Sequence, residues 1–348
     1  MKMRILFLLI LFLPASIYSQ DQYNWEKEAE FNEFYNPFSV FKISDDAILI
    51  YDTRNTQQPI SQVSLKEDSF TLKNHLKSGQ GPGEVNETFY KRVTTFSNGN
   101  ILLWDRGQAM LTIYDNSLNY IGDLEGRALQ SGIIQAGLIN DSTLVTVEND
   151  QENVFKAWSL LDDKTTSSEP IWTISFNDYP QLNGLKNFIL MQAMYFTNYD
   201  NVLYVAFQHS SVILALDADG MKYINSKPDE NPFPEFDSEN PVFSLPNMGS
   251  YVEGTRDMDV DGNYVYLIYK GESTSRWEQM RYMNNFDELI EQVKHSKRLL
   301  IFDRFTGQFV YETTLPIEAK QIAVVDNQFY LLNSLNDYPS LIRYRLQN

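Results

Sequence analysis

Leu299-Leu300-Ile301-Phe302-Asp303 is an apolar run that ends on an acid, followed by a turn at Thr306-Gly307 and a second run. Near-copies occur at Leu111-Thr112-Ile113-Tyr114-Asp115, Trp158-Ser159-Leu160-Leu161-Asp162 and Ile213-Leu214-Ala215-Leu216-Asp217. Weaker copies lie at residues 60–66 and at Leu341-Ile342-Arg343-Tyr344-Arg345. The copies are about 42 to 55 residues apart, with one wide gap between Asp217 and Asp303, and a period of about that size marks a four-stranded propeller blade. The expected fold is therefore all-β, a six-bladed β-propeller with four-stranded antiparallel blades.

Working outward, runs such as Ala47-Ile48-Leu49-Ile50-Tyr51, Ile101-Leu102-Leu103-Trp104 and Val202-Leu203-Tyr204-Val205-Ala206-Phe207 are apolar on both faces. Strands of that kind suit sheets stacked between neighbouring sheets. The turns between them carry hairpin chemistry at Ser97-Asn98-Gly99-Asn100, Asp217-Ala218-Asp219-Gly220 and Asp261-Gly262-Asn263. The blades are predicted at residues 38–76, 92–124, 133–174, 193–224, 256–315 and 322–346. The leftover segment 28–35 is placed as the outer strand of the last blade, which would join the chain ends and remove an exposed sheet edge. Two stretches break the rhythm. Five prolines between residues 227 and 246 make an irregular connection. Within residues 275–297, Phe286, Leu289, Ile290 and Val293 fall at helical spacing behind an Asn285 cap, so a short helical insertion is expected in the fifth blade.

Met1-Lys2-Met3-Arg4, the apolar run 5–13 and the small or polar residues 15–20 read as a signal peptide over residues 1–19, leaving residues 20–348 as one propeller domain. The apolar run is shorter than the roughly 20 residues that span a bilayer, so no transmembrane anchor is expected. The chain has no cysteine, which excludes disulfides, thiolate metal sites and a lipidated cysteine. Its formal charge of −18 argues against nucleic acid and anionic lipid surfaces, whose binding needs clustered Lys and Arg.

At Gly79-Gln80-Gly81-Pro82-Gly83-Glu84, and again at Val265-Tyr266-Leu267-Ile268-Tyr269, Ile322-Ala323-Val324-Val325 and Phe329-Tyr330-Leu331-Leu332, the chain resembles the TolB-like six-bladed β-propeller family of exported Bacteroidetes proteins. The resemblance spans the mature chain, with the middle blades matching by strand pattern. It implies a propeller in the periplasm or at the cell surface, often as a lipoprotein. Without the lipid-bearing cysteine, this chain is expected to be periplasmic or extracellular and not a lipoprotein. The family implies no common reaction.

Candidate sites are few. Gly79, Gly81, Pro82, Gly83 and Glu84 lack the Lys-Ser or Lys-Thr of a phosphate loop and read as a structural loop between the first two blades. Asp257, Asp259 and Asp261, followed by Gly262, alternate as in a calcium loop, but Ile268 stands where a bidentate Glu belongs. A strand and a turn explain the same residues without an ion, so calcium is kept as a possible cofactor and no cofactor is expected. His75, His209 and His295 are scattered over three blades, and no Gly-x-Ser-x-Gly elbow or zinc-protease spacing occurs. Arg54, Arg92, Trp104, Arg106, Arg127 and Arg256 lie near blade starts or strand ends, where rings and guanidinium groups could meet a ligand. The expected function is that of a monomeric, non-enzymatic binding or interaction scaffold for a peptide, protein or carbohydrate. The alternative is a metal-dependent propeller hydrolase or lyase acting on a sugar lactone or glycan.

Overall fold

The computed structural model describes residues 24–65, 70–86, 91–105, 107–126, 132–148, 150, 152–162, 164–179, 181–182, 194–228, 253–273, 294–335 and 338–347. These form strands β1 to β24, numbered along the chain, in six four-stranded sheets in which every pairing is antiparallel. Five sheets take their strands in simple order along the chain, over residues 37–76, 91–123, 133–175, 194–225 and 253–319. The sixth combines residues 321–347 with β1 (Asn24–Phe31), which pairs with β24 (Ser340–Gln347). The ring thus closes on the N-terminal strand, as expected, but with the strand starting at Asn24 and ending before Tyr35.

The core follows from the doubly apolar strands. Alternate side chains point to opposite faces, so one strand feeds two blade interfaces. Leu103 packs toward Leu49 and Tyr51 of the first blade, while its neighbours Leu102 and Trp104 pack toward Leu138 and Leu144 of the third. Six such clusters, each shared by two adjacent blades, complete the circle. Burial of this kind stabilises by about 25 cal/mol per Å² of apolar surface, without help from disulfides.

No α-helix occurs among the described residues. The expected helical insertion at 275–297 lies outside them as far as residue 293, and its last two residues are corrected: Ser296 and Lys297 belong to the strand Ser296–Asp303. That strand is fixed by pairing of Ser296 with Ala319 and of Arg298 with Thr314. The expected signal peptide and the four prolines between residues 232 and 246 also lie outside the described residues. No helix among the described residues is long and apolar enough to cross a membrane.

Candidate functional site: the central channel

Each blade presents its first strand to the axis: β2 (Pro37–Ser44), β6 (Lys91–Thr95), β10 (Ile133–Asn140), β14 (Met194–Tyr199), β18 (Glu253–Asp261) and β22 (Gln321–Val325). Residues of all six strands line a cavity of about 340 Å³. Its wall carries Lys42 and Arg92, the rings of Phe41, Phe96, Tyr195 and Tyr199, and five aspartates: Asp45, Asp141, Asp200, Asp257 and Asp259. The turns that follow β2, β10 and β14 contribute Asp45, Asp141 and Asp200, so the cavity reaches the face where the inner strands end.

The alternating aspartates of β18 have a structural task. Inner strands of neighbouring blades are not paired through their backbones, which leaves N–H groups facing the next blade. Asp257 Oδ2 accepts the Ile322 N–H at 2.8 Å, and Asp259 Oδ2 accepts that of Val324 at 2.6 Å. Asp261 Oδ2 takes the Asn327 N–H at 3.4 Å, while its Oδ1 accepts from Lys42 Nζ at 2.8 Å. The Asp-x-Asp-x-Asp spacing is thus a ladder from the fifth blade to the sixth. No cluster of three or more metal-ligating side chains is found among the described residues.

Burial pushes the Asp257 carboxyl well above the usual carboxylate range. It raises Asp259 to about 6, against the pull of Lys42 and the Val324 N–H. Burial works against the Lys42 charge as well, but Asp259 and Asp261 outweigh it and hold the ammonium above its ordinary value. Lys42 lies 5.3 Å from the centre of the Tyr199 ring.

Other bridges cross the lumen between non-adjacent blades. The Asn198 amide of the fourth blade accepts the Thr95 N–H at 3.1 Å and donates to the Thr95 carbonyl at 2.6 Å, in the second blade. Arg92 donates from Nε and Nη2 to the Met194 carbonyl at 3.2 and 3.0 Å and lies 5.5 Å from the Tyr195 ring centre. In the third blade between them, a Cβ on Gly137 would stand 2.9 Å from Phe196 and 3.3 Å from Thr94. The small residue lets the second and fourth blades meet across it.

The sequence-derived candidates scatter. Arg92 lines the cavity, Arg54 is exposed on a turn, and Trp104 is buried between blades with its Nε1 donating to the Ile134 carbonyl at 3.1 Å. Arg256 is buried in an ion pair with Glu253, and Arg106 and Arg127 lie outside the described residues. In the glycine loop, Glu84 Oε2 accepts the Gly81 N–H at 2.9 Å, and Gly79 donates to the Val85 carbonyl at 3.0 Å. Gly83 has φ +75°, and a Cβ there would fall 2.7 Å from that of Tyr120. The three histidines do not meet: His75 binds Ser61, His295 accepts from Ser334, and buried His209 is held to about 4 by desolvation. Sequence reading missed Lys42, Tyr195, Asn198 and Tyr199, which stand on the inner strands β2 and β14 without a regular spacing that marks them.

No family model matches the sequence, and no curated protein matches it. Among solved structures, a member of the DUF4221 family from Bacteroides vulgatus is similar at TM-score 0.58 and 12% identity, over 94% of this chain and 99% of that one. A candidate exported protein from Bacteroides fragilis is similar at TM-score 0.51 and 13% identity, over 94% of this chain and 95% of that one. At these identities the likeness is one of fold, and the chain is a six-bladed β-propeller like those Bacteroides proteins.

Proposed function

We propose that this chain is an exported, TolB-like propeller that acts as a binding module, with its ligand entering the central channel where the inner strands end. The observation that carries this reading is the cavity itself, built from the first strand of every blade and lined by charged, amide and aromatic side chains. At about 340 Å³ it lies at the low end of the roughly 300–1,000 Å³ of small-molecule sites. It therefore suits one residue of a peptide or protein segment, or one sugar unit, and not a folded domain. Export is supported by the N-terminal sequence and by the candidate exported protein that shares the fold. We place the protein in the periplasm or outside the cell as a monomer without a lipid anchor. The metal-dependent alternative has less support, because Asp257, Asp259 and Asp261 each commit an oxygen to a backbone N–H of the last blade.

The test is a thermal-shift and calorimetric screen of residues 20–348 against short peptides, glycans and divalent metals. A ligand of the folded state raises the melting temperature by mass action. The reading expects a peptide or sugar to bind and an Asn198→Ala or Tyr195→Ala change to weaken it. Stoichiometric metal with turnover of a lactone would overturn it.

A further inference from the structure

The cavity wall sets five carboxylates against two cations, both already engaged, and a third cation, Arg304, pairs with Asp200 from outside the wall. Lys42 makes its short contact with Asp261 and lies 3.8 Å from Asp45. Arg92 turns its guanidinium to the Met194 carbonyl. An entering anion would meet Asp259 at the wall, where low dielectric magnifies repulsion, and would have to draw Lys42 or Arg92 from its partner. A neutral group would leave the charge imbalance as it stands. A cation would relieve it, and the rings of Tyr195 and Tyr199 already lie beside cations in this structure. At the mouth, the Asp45 side chain is 76% exposed and placed to attract positive charge before it enters, whereas Asp200 is paired with Arg304 at 3.1 Å.

We propose that the channel takes an organic cation, an alkylammonium or guanidinium group of the kind a basic peptide side chain carries. The inference rests on the reading of the channel as the binding site. Asp259 is the inner counter-ion, Asp45 is the outer one, and the two tyrosines flank the chain that bears the charge.

Three probes of matched length separate charge from shape: 1,5-diaminopentane, 1,5-pentanediol and glutarate, titrated into residues 20–348 at low and at moderate salt. The diamine is expected to bind about tenfold or more tightly than the diol, glutarate not to bind, and added salt to weaken the diamine. Asp259→Asn should weaken the diamine about tenfold, while its amide oxygen can still accept the Val324 N–H. The exposed Asp45→Asn should weaken it roughly twofold without touching the core, and carries the test should Asp259→Asn fail to fold. If the diol or glutarate binds as tightly as the diamine and loses affinity in the same variants, the cation is wrong and the channel site stands. If the diamine binds but no variant changes its affinity, the proposed site is wrong. Should no diamine, peptide or glycan bind at all, both this inference and the binding-module reading fall.

Discussion

The acid that closes each clear copy of the repeat builds the turn after it. Asp303 Oδ1 accepts the Phe305 N–H at 3.1 Å, the Thr306 N–H at 2.8 Å and the Thr306 hydroxyl at 2.8 Å. Asp115, Asp162 and Asp217 hold the corresponding turns through the N–H groups of Ser117, Lys164 and Asp219. A carboxylate is favoured there because it mimics one turn of backbone. Asp303→Ala is expected to cost about 1 kcal/mol, read as a lower urea midpoint at neutral pH. Hydrogen bonds from Thr306 hold the Asp303 carboxyl below its usual 3.8, so its contribution is complete above that value and is lost as the pH falls through the folded value. The difference between variant and parent should shrink in acid, and a constant difference would refute the turn role. Asp259 and His209 act in opposite senses. Asp259 titrates near 6 when folded and 3.8 otherwise, so it removes stability as pH rises across that window. His209, neutral when folded down to about 4, loses its contribution as pH falls from 6.5 toward 4. Asp259→Asn should therefore gain stability relative to the parent between about pH 4 and 6, measured by urea midpoints, and parallel curves would rule out titration of Asp259 in that range. The turn acids were legible because the motif recurs, whereas the acids of β18 showed their spacing but not the neighbouring strand whose N–H groups they meet.

At the scale of the element, inner strands differ from the other three in each blade. The second strands are almost continuously apolar, as in Ala47–Asp52 and Val202–Phe207, because both faces meet another sheet. That pattern made them readable. An inner strand instead turns an edge to the axis, and its unpaired backbone must be met by a side chain from elsewhere. Asn198 does this for Thr95 by supplying a donor and an acceptor together. Asn198→Ala would leave both Thr95 groups without that partner in the channel wall, at a cost of about 1–3 kcal/mol. Asn198→Asp should be damaging as well, since a carboxylate cannot donate to the Thr95 carbonyl. Chemical denaturation of the three proteins is the measurement, and an alanine variant as stable as the parent would show that the bridge is dispensable. Nothing local in Met194–Tyr199 points to a partner 103 residues earlier in the chain, which is why this contact was not legible.

The whole molecule is a ring, and a ring has two ends to join. The repeat made the number of blades readable, and the shortage of strands after residue 322 made the closure readable too. The channel was not, since its wall draws one strand from each of six separated segments and its chemistry exists only when all are assembled. Closure depends on β1. Glu28 lies 3.0 Å from Arg343 Nε and 2.6 Å from Arg345 Nε, and its carboxylate also accepts from Gln328 Nε2 at 3.2 Å. Trp25 donates to the Thr314 carbonyl of the fifth blade at 3.0 Å and meets Phe329 edge-on at 5.0 Å. The first strand therefore ties the last blade both to the chain terminus and to its neighbour. Deleting residues 20–31 would uncover the edge of β24 and leave Arg343, now only 7% exposed, without its carboxylate. An unpaired edge is a template for another chain, so the truncated protein is expected to self-associate in light scattering and to melt below the parent. Glu28→Ala separates the two causes: it removes the ion pairs but keeps the strand, and should lower stability by about 2 kcal/mol without changing the mass in solution. A truncated protein that remains monomeric and melts with the parent would mean that the ring is held by its six apolar interfaces alone.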